Sequence, residues 1–262
     1  MRLALLGDPV SHSRSPALHR AALAAVGIEG RYEARRVDEA GVYRACAEMR
    51  AGDLAGANVT MPHKRVAAAA ADRLTPEAAQ CRAVNTLVAS DGAVAGHNTD
   101  VGGILLACNW AALPTGPAVL VLGAGGAAAA ALVAFGGARL AVAARRPGAG
   151  GALAAALGLE AVEVPWGRPV PGAVVVNATP LGMQGEPLPP DLVEEAGGLI
   201  DLPYRELPTP AITAAGRLGI PFADGCAVLV AQAALAFTLW TGLEAPVAVM
   251  QRAARAGLPS AL

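Results

Sequence analysis

Lysine is nearly absent from this chain of 262 residues: Lys64 stands alone against 19 arginines. Arginine keeps its proton near neutrality, whereas lysine releases one when its pKa is lowered. The lone lysine therefore marks either a place where a proton-exchanging amine is wanted or a chance survivor of a GC-biased composition. A surplus of positive charge is also missing. Lys and Arg together number 20 and Asp and Glu 21, for a net charge of −1, which argues against a nucleic-acid partner. With 16% charged and 54% hydrophobic residues, the chain is too apolar to be disordered. Cys46, Cys81, Cys108 and Cys226 are scattered with no C-x-x-C pair, so they read as reduced thiols of a cytoplasmic protein. The four histidines form no metal-type pair and H-E-x-x-H is missing, so no metal is expected.

Two stretches, 101–138 and 225–243, contain no Asp, Glu, Lys or Arg. Asn109, Pro114, Pro117 and several glycines interrupt the first, and the second reads as a buried helix of a protein without a membrane span. Gly7 and Asp8 arrive too early for a signal peptide.

Short β-rich runs alternate with Ala-rich helical runs, which predicts mainly parallel sheets covered by helices. Strands are expected at 2–6, 32–37, 54–59, 83–88, 118–122, 138–143, 173–177 and 199–201. Helices are expected at 15–26, capped by Ser15, and at 39–49, 62–70, 99–107, 190–195, 209–218, 226–241 and 246–256. Residues 148–151 read as a flexible loop. The fold class is α/β with two α/β domains: a first one, 1–100 plus 240–262, and a second, Rossmann-like one, 101–239. The C-terminal helices are expected to pack back on the first.

Gly123-Ala124-Gly125-Gly126-Ala127-Ala128 follows an apolar strand and opens a helix, the context a dinucleotide fingerprint requires. Gly123 permits the tight turn, Gly125 lets backbone approach a pyrophosphate, and Ala128 allows close helix–strand packing. The helix N-terminus offers free N–H groups to the phosphates. An NAD site would place an acid near the end of the next strand. This chain has Arg145 and Arg146 there, which favours the 2′-phosphate of NADP; solvated surface charge is the other reading of the pair.

Ser11, Ser13 and Ser15 precede a helix and make a cradle for an anion, most simply a carboxylate, although Ser15 serves a plain helix cap as well. Asn58, Thr60 and Lys64 follow a strand within one turn. Asn85, Asn98 and Asp100 come next. Three of the chain's five asparagines fall in these segments, which reads as a site for a small polyhydroxy acid.

The motifs Gly7–Pro16, Asn58–Lys64, Ala83–Thr86, Gly96–Asp100, Gly123–Ala127, Asn177–Met183, Asp201–Tyr204 and Asp224–Gln232 together resemble the shikimate dehydrogenase family, in its order and over nearly the whole chain. That resemblance implies an NADPH-dependent, reversible reduction of 3-dehydroshikimate to shikimate; monomer and homodimer both stay open. It implies a catalytic pair, Lys64 and Asp100, and substrate ligands Ser13, Ser15, Asn58, Thr60, Asn85, Tyr204 and Gln232. It implies cofactor contacts from Gly123, Ala124, Gly125, Gly126, Ala127, Ala144, Arg145, Arg146, Met183, Leu202 and Gly225. Arg20, and Ala144 with Arg146 beside Arg145, depart from the family's usual residues, which leaves the adenosine contacts open. A structural ion pair remains the other reading of Lys64 and Asp100. A quinate/shikimate dehydrogenase of broader specificity and a non-catalytic NADP-binding sensor are the alternatives in function.

Overall fold

The computed structural model describes residues 1–11, 13–114, 118–205 and 207–256. His12 of the serine loop, 115–117 of the expected linker and 257–262 of the expected first domain lie outside the described residues. The chain divides into two compact units, the first formed by Met1–Gly103 and Leu229–Ala256, the second by Ile104–Val228.

In the first unit the elements run β1 Arg2–Gly7, α1 Ser15–Ala25, β2 Arg31–Arg36, α2 Glu39–Arg50, β3 Gly56–Val59, α3 Lys64–Ala70, β4 Arg73–Leu74, α4 Pro76–Cys81, β5 Thr86–Ser90, β6 Ala93–His97 and α5 Thr99–Trp110. Helix α5 leads into the second unit. There follow β7 Ala118–Leu122, α6 Gly126–Ala134, β8 Arg139–Ala143, α7 Ala149–Ala156, β9 Ala161–Glu163, β10 Val174–Asn177, α8 Asp191–Glu194, β11 Gly198–Asp201, α9 Pro210–Leu218 and β12 Phe222–Ala223. Helix α10, Gly225–Thr241, returns the chain to the first unit, which α11, Val247–Arg255, closes.

The first sheet has the order β2-β1-β3-β5-β6-β4. Strand β1 pairs in parallel with β2 and β3, while β5 runs antiparallel to β3 and to β6. The start of β5 therefore lies at the same edge as the ends of β1, β3 and β6, with Asn58 opposite Thr86 and Thr86 opposite His97. Leu3, Leu5, Leu18, Leu23 and Tyr32 pack on one face with Val230, Phe237 and Trp240 of α10 and Met250 of α11. Glycine at position 56 makes the approach of α10 feasible, because a Cβ there would stand 2.2 Å from Trp240 Nε1. The other face packs Leu6, Val42, Met49, Leu54 and Val59.

The second sheet has the order β12-β11-β10-β7-β8-β9 and every pairing is parallel. Read from its far edge this is the doubly wound order, with the strand sequence reversing between β7 and β10. Strands buried on both faces explain its continuous apolar runs, such as Ala118–Leu122.

Three sequence expectations change. Ser15 is not a cap: it is the first residue of α1, after an Arg14 N-cap with no side-chain bond. Residues 148–151 are not a loop but the left-handed Gly148 and the first turn of α7. The Glu163 carboxylate on β9 accepts from Gly148 N and Gly151 N at 2.8 and 3.1 Å and pins that turn. The units divide at Gly103 and Leu229 instead of at 100 and 240, because α10 from Val230 onward belongs to the first core. Among the described residues no helix is long and apolar enough to cross a membrane.

Candidate active site

In the first unit, three loops meet at the sheet edge just defined. Thr60 N donates to Leu6 O at 2.8 Å and Asp8 N to Met61 O at 3.1 Å, which laces the serine loop to the loop before α3. Gly7 is required here, since a Cβ would lie 2.3 Å from Thr60 Cγ2. Val84 N then bonds Lys64 O at 2.9 Å, and Val59 N bonds Asn85 O at 2.8 Å.

Lys64 Nζ and Asp100 Oδ2 are 2.5 Å apart, with about a quarter of each side chain exposed (27% and 23%). Asn85 Nδ2 donates to the other carboxylate oxygen, Asp100 Oδ1, at 2.8 Å. Asn85 Oδ1 accepts from Thr99 N at 2.7 Å. Gln232 Oε1 lies 3.5 Å from Asn85 Nδ2 and from Thr99 Oγ1. Its helix comes this close because residue 103 is glycine: a Cβ would stand 2.7 Å from Gln232 Cβ. The structure thus gathers Lys64, Asp100, Asn85 and Gln232, and adds Thr86 and Thr99, which sequence reasoning left unassigned. Both are threonines beside an assigned residue, and that adjacency was the available signal.

Ser13 Oγ accepts from Ser15 N at 3.3 Å at the start of α1. The Ser15 and Thr60 hydroxyls have no hydrogen-bond partner among the described residues. These hydroxyls and the Lys64 ammonium are the unspent donors of this edge. Asn58 differs. It is 5% exposed; its amide donates to Asn85 O at 3.2 Å and to Thr86 Oγ1 at 3.0 Å, and its oxygen accepts from Tyr32 at 2.7 Å.

In the second unit, Gly123 has φ +119 and a Cβ there would sit 2.9 Å from Ala178 O, so only glycine lets the turns after β7 and β10 touch. Ala124 is half-buried and Gly125, Gly126 and Ala127 are exposed. Nothing lies within 4 Å of a Cβ built on Gly125 or Gly126. Helix α6 has no side-chain cap and no acidic residue in its first turn. Open space over uncapped amides at a helix N-terminus fits the pyrophosphate of a dinucleotide. One strand over, Ala144 is buried while Arg145 and Arg146 are exposed, and neither guanidinium forms an ion pair among the described residues.

Asn177 and Asp201 end the apolar strands β10 and β11. Asn177 Nδ2 donates to Asp201 Oδ1 at 2.7 Å and to Leu181 O at 3.0 Å. Thr209 donates to Asp201 Oδ2. Burial pushes the Asp201 carboxyl up to about 6, against the pull of these donors. Asn177 thereby shapes the turn that carries the exposed Met183. Gly225 packs against Leu202 O at 2.5 Å from its would-be Cβ. Tyr204 and Leu202 are half-buried. Sequence reasoning missed the roles of Asn177, Asp201 and Thr209, although a polar residue closing an all-apolar strand was a legible signal. Among the described residues no group of three His, Cys, Asp or Glu side chains could hold a metal ion.

Two family models match the chain: the shikimate dehydrogenase substrate binding domain over residues 5–87 and the shikimate 5'-dehydrogenase C-terminal domain over residues 227–255. The chain is 40% identical to a shikimate dehydrogenase (NADP(+)) of Thermus thermophilus over 98% of its own length and 99% of that protein's. It is also 40% identical to the Moorella thermoacetica protein of the same name, covering 97% of this chain and 92% of that one. A crystal structure of shikimate 5-dehydrogenase from a second Thermus thermophilus strain, in complex with NADP(H) and shikimate, superposes with a TM-score of 0.89 at 40% identity, covering 98% of this chain and 100% of that chain. This chain belongs to the shikimate dehydrogenase family.

Proposed function

We propose that this chain catalyses the reversible, NADPH-dependent reduction of 3-dehydroshikimate to shikimate. The observation that carries the reading is the half-buried Lys64–Asp100 pair at 2.5 Å, with Asn85 holding the far carboxylate oxygen. A structural ion pair would not need Asn85, Thr99 and Gln232 converging on it beside unspent hydroxyls.

Ser13 and Ser15 hold the substrate carboxylate at the N-terminus of α1, where amides and the helix dipole favour an anion. Thr60, Asp100, Gln232 and Tyr204 take the hydroxyls, and Asn85, whose amide donates to Asp100 and Thr99, holds Asp100 in place among them. The second unit holds NADPH by the Gly123–Ala127 turn, by Arg145 at the 2′-phosphate with Ala144 and Arg146 beside it on the adenosine side, and by Met183, Leu202 and Gly225 on the nicotinamide side. When bound, NADPH supplies the hydride for the ketone carbon. Lys64 delivers the proton to the ketone oxygen, and takes it back from the alcohol in the reverse direction. Such general acid catalysis contributes about 10²–10⁴-fold. Asp100 orients the amine and keeps its charge matched. The four cysteines are free and buried, which fits work in a reducing compartment such as the cytoplasm.

The test follows NADPH absorbance with shikimate and NADP, using NAD and quinate as controls. Turnover of shikimate with NADP far above both controls is expected. No turnover refutes the reading. Equal turnover of quinate moves the chain to the broader quinate/shikimate class.

A further inference from the structure

Hydrogen-bond directions around Asp100 can be fixed one after another, starting from backbone groups that have no choice. Thr99 N–H can only donate, so the Asn85 atom 2.7 Å from it is the oxygen, and Asn85 Nδ2 faces Asp100. Thr86 Oγ1, 3.1 Å from that oxygen, can only be the donor of that bond; the Thr99 hydroxyl, 3.1 Å from Thr86 Oγ1 and 3.2 Å from the same Asn85 oxygen, branches off at this point. Asn85 O can only accept, so Asn58 turns Nδ2 toward it, and the same amide donates to Thr86 Oγ1. Asn58 Oδ1 is left to accept from the Tyr32 hydroxyl. The result is one chain with a single direction: Tyr32 to Asn58, to Thr86, to Asn85, to Asp100, which Lys64 meets from the other side. Bonds in such a row polarise one another in a low-dielectric interior.

The far end of the row is rigid. Tyr32 is 2% exposed. Its ring stacks on His19, with centroids 4.6 Å apart and planes at 14°, and tilts against Trp240 at 6.2 Å. Both amide hydrogens of Asn58 are committed to protein acceptors, so none is left for a substrate.

We infer that Tyr32 is a positioning residue, which through Asn58, Thr86 and Asn85 sets the carboxylate of Asp100 against Lys64, and that Asn58 serves this row instead of binding substrate. The inference rests on the proposed reaction for its kinetic consequences but not for its structural one.

Tyr32→Phe removes the hydroxyl and keeps the stacked ring. Because the chain has one lysine, protein labelled with 13Cε-lysine gives a single side-chain resonance, that of Lys64. This resonance should move in Tyr32→Phe and in Asn58→Ala. It should stay in place in Leu23→Val, which thins the same core without touching the row. A resonance unmoved in Tyr32→Phe overturns the inference even if the reaction proves to be another. With 3-dehydroshikimate, Tyr32→Phe should lower kcat about three- to ten-fold, the scale of one hydrogen bond, with KM for NADPH unchanged. The double variant with Asn58→Ala should be no slower than Asn58→Ala alone, since members of one network do not add. Additive losses, or a rise in shikimate KM confined to Asn58→Ala, assign Asn58 to the substrate and overturn the inference.

Discussion

The Arg14 guanidinium reaches from the serine loop to the carbonyl oxygen of Ala254 in the last turn of α11, 3.0 Å away, and bonds Ala256 O at 3.1 Å as well. An arginine here satisfies carbonyls that a helix end leaves bare, and it anchors the loop that bears Ser13 and Ser15. Arg14→Ala should therefore raise KM for shikimate roughly five-fold, about 1 kcal/mol for partly exposed charged hydrogen bonds, and leave KM for NADPH alone. Arg14→Lys should recover part of the loss, because an ammonium lacks the planar fork that reaches two oxygens. Steady-state kinetics with each substrate varied in turn decides it; equal changes in both KM values would mean a global loosening.

Lys64→Ala should lower kcat by about two to four orders of magnitude with KM within a few-fold. Lys64→Arg keeps the charge beside Asp100 but holds its proton too firmly to transfer it, so it should stay as slow as the alanine variant. Substantial activity in Lys64→Arg would show that charge alone suffices.

Local patterns proved readable in the sequence, and features completed by distant partners did not. The turn at Gly123–Ala128 needs only a strand, three small residues and a helix, all contiguous. The Asp91-Gly92 dipeptide, with φ of 52° and 73°, carries a strong hairpin signal, yet β6 is hard to read because Ala93–His97 has Val94 as its one strong β-former. Residues 148–151 look like a flexible loop until Glu163 supplies the carboxylate that orders them. Asn58 reads as a ligand in the sequence, where its bonds to Tyr32 and Thr86, on strands far along the chain, leave no trace. Helix α10 packs back on the first core as its sequence suggests, but a uniformly apolar helix does not say where along it the units divide, which is at Leu229.

Arg145 and Arg146 stand exposed at the end of β8 without ion-pair partners among the described residues. If Arg145 grips the 2′-phosphate, Arg145→Ala should raise KM for NADPH about ten-fold, the value of a charge-assisted hydrogen bond. KM for NADH should not change, since that coenzyme has no such phosphate. Arg146→Ala should have a smaller effect if it serves only the general field. A loss shared equally between NADPH and NADH would place Arg145 at the adenine or pyrophosphate instead.

His19 is fully buried, and its ring nitrogens have no hydrogen-bond partner of good geometry among the described residues. Burial lowers its pKa from 6.5 to about 3, outweighing the opposite pull of nearby Asn58. The folded state therefore keeps it neutral while the unfolded chain protonates it below about pH 6.5, so stability falls as pH falls through that window. Between pH 6.5 and pH 5 this amounts to roughly 2 kcal/mol. Chemical denaturation across that range should show the slope in the wild type and a weaker one in His19→Phe. Parallel slopes would exclude the histidine as the source.

Asp201 works in the opposite direction. Its carboxyl is fully buried and raised from 3.8 to about 6, by desolvation first and against the donors Thr209 and Asn177. The fold thus binds this proton more tightly than the unfolded chain does. Its contribution is favourable below about pH 4 and is lost as pH rises through 6, up to about 3 kcal/mol in all. Asp201→Asn removes the titration. Its amide can still accept from Asn177, and it donates to Thr209 Oγ1, whose remaining bond to Ile212 N at 3.2 Å caps α9. Relative to wild type, the variant should be less stable at pH 4 than at pH 7, and the difference should change mainly between those values. Unfolding midpoints at several pH values provide the measurement, and a difference independent of pH would mean that Asp201 stays ionised throughout.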